Sequence, residues 1–272
     1  MIKKTKICAT IGPSCDSIKI LTDMVRAGMN IARLNFSHGD FASHAALIKN
    51  IRAVEEDTGE PIAIMQDLRG PKIRLGNLPE EGVSIKEGTD VIFDTSLLEL
   101  KNGVVPIDYP DLHKFLEAGQ RILIDDGHVE VKIKKVEGAV ITAEVIEGVK
   151  LFSHKGLNLP DSILDIAAIS EKDKKDLKFG VEQGVDLVAL SFVRSAKDII
   201  DLRFLIKQFE TELGIKNQPA IRLVAKIERR VAVENLKEIL EATDGIMVAR
   251  GDLGLEVPAA EVPLVQKRMI DA

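Results

Sequence analysis

Tryptophan is absent from this 272-residue chain, tyrosine occurs once, at Tyr109, and cysteine twice. With so few flat aromatic surfaces there is no platform on which nucleic-acid bases could stack. A net charge of −6, with both signs scattered along the chain, offers no basic patch for a nucleic acid or an anionic membrane. An anionic small substrate is still compatible, because a local cluster of Arg and Lys with a metal ion overcomes a mildly acidic whole. Cys8 and Cys15 have no second pair, which fits neither a zinc site nor a disulfide framework and makes a reducing cytoplasm the expected compartment. Long apolar runs are also missing: none approaches the ~20 residues that cross a bilayer. The stretch after Lys3, Lys4 and Lys6 is short and runs into Gly12-Pro13, so it reads as a first strand and not as a leader.

What is present is enough apolar material, 45%, for a sizeable core, arranged as one large domain or one domain with an insert. Strand-like and helix-like segments alternate from the start: strand 6–11, helix 17–26 stopped by Gly28, strand 30–36, helix 40–57 stopped by Gly59 and Pro61, strand 62–66. Between Gly70 and Ile166 the period changes to short Val/Ile-rich stretches separated by Glu87-Gly88, Asn102-Gly103, Asp126-Gly127 and Glu137-Gly138, which reads as a small all-β insert. Ser170-Glu-Lys-Asp173 carries a capping-box signature. Alternation then resumes with strands 185–192, 221–227 and 245–248 and helices 196–213, 233–242 and one from Glu261. The expected fold is α/β: a (β/α)8 TIM-type barrel, six of eight units present, with a small all-β domain inserted after strand 3. The expected domains are 1–69 and 167–272 for the barrel, the latter incomplete, and 70–166 for the insert.

Polar residues recur at the trailing ends of these strands, where a parallel barrel gathers its chemistry. Arg33, Asn35 and Ser37 share one face at the end of one strand; Asp67 ends another; Lys226 and Glu228 share a face; Asp252 follows the strand before Ala249. Glu228 and Asp252 are hard oxygen ligands of the kind that hold Mg2+ at phosphate sites, and Arg33 and Lys226 add positive charge for phosphoryl transfer. Taken one at a time, each is also explained as a strand-end charge facing water. Gly251-Asp-Leu-Gly254 offers backbone N–H groups to an anion or is a plain turn. Of the two histidines around the next helix start, His38 is preferred to His44 as a functional residue. Asp125-Asp126-Gly127-His128 reads as a hairpin turn with its carboxylates in solvent.

Seven segments in order resemble the pyruvate kinase family: Lys4–Pro13, Ala32–Gly39, Asp67–Arg74, Lys155–Pro160, Ser170–Asp173, Ala225–Glu228 and Ala249–Gly254. The resemblance implies a (β/α)8 barrel with a mobile lid after strand 3, and transfer of a phosphoryl group from phosphoenolpyruvate to ADP, giving pyruvate and ATP, with Mg2+ or Mn2+. By position it makes Glu228 and Asp252 metal ligands, Lys226 and Arg33 catalytic and substrate-binding cations, and the Ala249, Arg250, Gly251 and Asp252 backbone the seat of the substrate carboxylate. Asn35, Ser37 and Asp67 resemble the family's monovalent-cation pocket, and Asn35, His38, Arg74 and Lys155 its nucleotide contacts. A homotetramer is the family's habit.

The departures carry expectations of their own. Many members have Glu where this chain has Lys72 and Thr where it has Leu68, and those members require K+; here the Lys72 ammonium serves as an internal cation and K+ is not required. His154 stands where a Lys is common, which leaves a second nucleotide contact open. Strands seven and eight and the C-terminal domain of the family are not in the sequence, so the chain alone is expected to be unstable or inactive. The alternative is a non-catalytic fragment that binds substrate or metal, or needs a second chain to complete the barrel. A Mg2+-dependent lyase acting on an enolate would share a Lys, Glu and Asp rim, but it has no nucleotide for the Lys155 segment to contact.

Overall fold

The computed structural model describes residues 4–162, 167–216 and 218–272. Three βα steps open the chain: β1 (Ile7–Thr10), α1 (Ile18–Arg26), β2 (Met29–Asn35), α2 (Phe41–Thr58) and β3 (Ala63–Leu68). Their boundaries follow from local chemistry. Ser17 accepts the Ile20 N–H to start α1, Asp40 and Ser43 form a reciprocal capping box for α2, and Gly59, at φ 67°, ends α2 in the left-handed conformation that a Cβ disfavours. Short strands follow: β4 (Val83–Ser84), β5 (Asp90–Asp94), β6 (Val105–Pro106), β7 (Arg121–Ile124), β8 (Val129–Glu137), β9 (Val140–Glu147), β10 (Lys150–Leu151) and β11 (Leu157–Asn158). The βα pattern returns with α3 (Glu171–Glu182), β12 (Leu187–Leu190), α4 (Ala196–Glu212), β13 (Arg222–Ile227), α5 (Arg230–Glu234), α6 (Leu236–Ala242), β14 (Gly245–Val248), α7 (Arg250–Glu256) and α8 (Val262–Asp271).

Two compact units result. The first comprises residues 1–70, 168–227 and 234–248, and the second 71–167, 228–233 and 249–272. In the first, six strands form one sheet in the order β1-β2-β3-β12-β13-β14, every neighbouring pair parallel, as a partial barrel of TIM type. Its helix-facing side is apolar and fully buried at Leu34, Ile64, Val188, Leu190, Leu223 and Ala225. The opposite face carries Ile31, Met65, Leu187, Ala189, Val224 and Met247, packed on one another. Both faces are therefore largely apolar, as a parallel sheet requires. In the second unit the order β11-β7-β8-β9-β5-β6 is antiparallel except for the last pair, beside a β10-β4 ribbon. Its core is built on Phe93, Leu75, Ile107, Leu112, Ile122 and Ile124, all fully buried.

The expected boundary at Ile166 lies outside the described residues. The single helix expected over 233–242 is divided into α5 and α6: Asn235 stands at the break and its amide donates to the Arg194 carbonyl at 2.9 Å. Residues 250–256, expected to be a turn or cradle, form the helix α7; Gly251 and Gly254 are weak helix formers and masked its period. Asp126 is exposed, as expected, with Lys72 at 3.9 Å, whereas Asp125 is only partly exposed and pairs with Lys155 at 2.9 Å.

One helix position tests this packing. Gly180 in α3 faces Gln66, which is fully buried and donates from Nε2 to the Asp176 carbonyl at 2.7 Å. A Cβ at 180 would come 2.1 Å from Gln66 Oε1. Ala gains about 1 kcal/mol of helix propensity over Gly, whereas overpacking costs about 1–3 kcal/mol. Gly180→Ala should therefore destabilise the chain in urea unfolding, and the penalty should vanish or reverse sign in a Gln66→Ala background; additive effects would show that the contact is not the cause.

Candidate functional site

Side chains two apart on a strand share a face. One step beyond the apolar layer of Ile31, Met65, Ala189 and Val224 therefore come Arg33, Asp67, Ser191 and Lys226, at the C-terminal ends of β2, β3, β12 and β13. Parallel register sets them side by side: Asn35 lies opposite Asp67, and Ala189 also lies opposite Asp67 from the other flank.

Asp67 is the centre of this layer. It is only 2% exposed, and both flanking cations turn to it. Arg33 donates from Nε to Oδ2 at 2.7 Å, and a second guanidinium nitrogen meets the same oxygen. Arg33 also donates to the Thr10 hydroxyl at 2.7 Å, which ties it to the end of β1. Lys226 Nζ lies 3.3 Å from Asp67 Oδ1 and donates to Ser191 Oγ at 2.7 Å. Ser191 passes its own proton to the Leu68 carbonyl at 2.7 Å, so its hydroxyl is left to accept from the ammonium. A buried carboxylate of this kind is tolerated because charge-assisted bonds replace its lost hydration. The arrangement fixes two cations on one face, on β2 and β13 with β3 and β12 between them, both turned to the same carboxylate.

Asn35 keeps the strand face of Arg33, as expected, but Ser37 lies beyond the strand. β2 ends at Asn35, whose Oδ1 accepts the Ser37 N–H at 3.0 Å and folds the chain into a tight turn. Phe36 N–H bonds the Asp67 carbonyl at 3.0 Å, so this turn is tied to the end of β3. His38 is exposed. His44 is not a surface residue: it is 6% exposed, stacks on Phe36 with ring centroids 4.0 Å apart, and bonds the His38 carbonyl through Nε2 at 2.9 Å, so that nitrogen carries the proton.

The second unit holds the remaining candidates. Glu228 is 2% exposed immediately after β13, and Asp252 sits in the first turn of α7 beside Arg250 and Gly251, with Ala249 at the cap. Glu228 and Asp252 offer carboxylate oxygens only, a donor set suited to Mg2+ or Mn2+, which keep several water or substrate oxygens. Among the described residues no group of three or more His, Cys, Asp and Glu is placed to hold a metal. Arg74 donates to the His154 carbonyl at 2.6 Å. Lys155 and Lys72 are held by Asp125 and Asp126, consecutive residues at φ 55° and 54° ahead of Gly127 at 86°. Non-glycine residues in that region are uncommon.

Ser191 and Thr10 were missed in the sequence. Counting by two from Leu187 and Ala189 reaches Ser191, but a serine alone carries no signal of charge recognition. Thr10 lies within a recognised segment, and only the β1–β2 register, which pairs it with Arg33, reveals its part.

No helix among the described residues is long and apolar enough to cross a membrane. The family model for the barrel domain of pyruvate kinase matches residues 2–272. Pyruvate kinase of Geobacillus stearothermophilus is 41% identical over 273 residues, covering 99% of this chain and 45% of the relative. That of Clostridium perfringens is 43% identical over 270 residues, covering 99% and 56%, and human pyruvate kinase PKLR 43% over 280 residues, covering 98% and 47%. The chain thus spans about half the length of the curated relatives it matches. With a partial parallel barrel, a clustered Arg33–Asp67–Lys226 layer and identity near two residues in five along nearly its whole length, the chain belongs to the pyruvate kinase family.

Proposed function

We propose that this chain provides the phosphoryl-transfer site of a pyruvate kinase, moving the phosphoryl group of phosphoenolpyruvate to ADP to give pyruvate and ATP. The observation that carries the reading is the convergence of Arg33 and Lys226 on buried Asp67. Phosphoryl transfer asks the protein mainly to position the reactants and to neutralise charge on the transferring oxygens. Arg33 binds the substrate phosphate. Lys226 steadies the transferring group and the enolate oxygen that is left when the bond to phosphorus breaks. Asp67 holds both cations in place, so no reorganisation is needed as charge moves.

Glu228 and Asp252 are the residues that would hold Mg2+ or Mn2+. When bound, the divalent ion supplies Lewis-acid neutralisation of phosphate charge. The substrate carboxylate is seated on the backbone of Ala249, Arg250, Gly251 and Asp252. Asn35, Ser37 and Asp67 form the monovalent-cation pocket, with Lys72 supplying the internal cation in place of K+. Asn35, His38, Arg74 and Lys155 contact the nucleotide. The barrel domain is assigned residues 1–69 and 167–272 and the lid 70–166, and the complete enzyme is a cytoplasmic homotetramer, as the family resemblance implies.

Thermal unfolding with and without phosphoenolpyruvate and Mg2+, together with a coupled pyruvate-release assay, tests the reading. Binding should raise the melting temperature. Glu228→Gln should weaken Mg2+ binding by at least the roughly 10–100-fold that losing even an outer-shell partner costs, seen as a higher Mg2+ concentration needed for the phosphoenolpyruvate effect. In the complete enzyme Lys226→Met should lower kcat by about 100–1,000-fold, the usual effect of deleting one transition-state stabiliser. A melting temperature that is indifferent to phosphoenolpyruvate at any Mg2+ concentration would sink the assignment. For the internal cation, turnover of the complete enzyme should be the same in K+-free tetraalkylammonium buffer as in K+, and Lys72→Glu should create a K+ requirement; a strong K+ dependence of the complete enzyme would exclude the Lys72 role.

A further inference from the structure

The Ser170-Glu-Lys-Asp173 segment starts a helix, and the reaction assigned above uses none of its residues. Its side chains nevertheless reach well beyond that helix. Asp173 is fully buried and caps α3 by accepting the Ser170 N–H on Oδ2 at 2.9 Å. Capping needs no more than this, yet its other oxygen accepts the Gly70 N–H at 3.1 Å, in the turn that follows β3. Lys172 donates to the Phe36 carbonyl at 2.9 Å, in the turn that follows β2, and pairs with Asp176 one helical turn on. Asp176 is 3% exposed; burial raises its carboxyl above the usual carboxylate range, and Lys172 is the foremost group opposing that. The Asp176 carbonyl accepts the Gln66 amide of β3 at 2.7 Å. Two turns of α3 thus hold two separate points of the site's supporting backbone, at Phe36 and Gly70, and the Gln66 side chain of β3.

These points are not remote from the charged layer. The Phe36 N–H bonds the Asp67 carbonyl, and Asn35 and Ser37 flank Phe36. A Cβ at Gly70 would come 3.2 Å from both the Cβ and the carbonyl oxygen of Ser191, so the turn fixed by Asp173 packs directly on the residue that holds Lys226. An i,i+4 ion pair such as Lys172–Asp176 contributes little by itself when half exposed. What sets this one apart is that the same ammonium makes a charge-assisted bond to the backbone of a site loop.

We propose that the first two turns of α3 set the positions of the loops after β2 and β3, making Lys172 and Asp173 positioning residues for the Asn35–Ser37 pocket and the Arg33–Asp67–Lys226 layer. This rests on the reading of the site given above. The test compares the parent chain with Lys172→Arg and with Lys172→Met/Asp176→Asn, the double variant avoiding a buried carboxylate stripped of its cation. Two quantities are read: amide hydrogen exchange over residues 36–39, and the affinity for phosphoenolpyruvate with Mg2+ by calorimetry. In the double variant the 36–39 amides should exchange about tenfold faster while the interiors of α2 and α4 keep their rates, and the affinity should fall about tenfold, the size expected for one charge-assisted bond. Lys172→Arg should restore both to within about twofold, since a guanidinium can still donate to the carbonyl. Unchanged exchange at 36–39 overturns the proposal, as does faster exchange with undiminished affinity. A parent that binds no phosphoenolpyruvate overturns the functional reading instead, and the exchange rates then decide the brace by themselves.

Discussion

The burial of Asp67 between Arg33 and Lys226 is the interaction on which the rest of the site depends. A carboxylate at 2% exposure is sustained only by paired, hydrogen-bonded cations, and removing one partner of such a group costs about 3–5 kcal/mol. Three strands must therefore end in register for the site to exist at all. β2, β3 and β13 meet that condition because parallel pairing through β12 fixes their offsets, and the apolar layer of Ile31, Met65, Ala189 and Val224 beneath them sets which face the next residues occupy. The same pairing delivers Ser191 to the ammonium of Lys226, so that a hydroxyl and a carboxylate together orient one cation.

The second unit solves a different problem with different means. Its short strands cannot each bury much, so they close a common core around Phe93, Leu75 and Ile107. Its charged side chains are organised by backbone conformation instead of strand register: Asp125 and Asp126, both left-handed, present adjacent carboxylates to Lys155 and Lys72. Those lysines are the residues assigned to nucleotide phosphate and to the internal cation.

Elements governed by a single physical rule are legible in the chain, and those on which two rules compete are not. The βα alternation, the break in period after Gly70 and the helix starts at Ser17, Asp40 and Ser170 followed from apolar spacing and capping chemistry alone. Arg33, Asp67 and Lys226 stood out because charges at strand ends are conspicuous. α7 escaped because its glycines suggested a turn, and the α5–α6 break escaped because the Asn235 bond to Arg194 joins residues far apart in sequence. The burial of His44 is hidden for a related reason: only the stacked Phe36 ring and the His38 carbonyl give it a buried place.

The sequence by itself determined the fold class, the family and the kinds of side chain at the site, since these depend on local period, caps and the order of motifs along the chain. Tertiary structure decided which of those side chains meet. That Asp67 serves both Arg33 and Lys226, that Thr10 and Ser191 complete their coordination, and that α3 anchors the turns after β2 and β3 all depend on strand register and helix placement. Register is set by pairing between strands distant in sequence, and a shift of one residue would turn each of these groups to the opposite face.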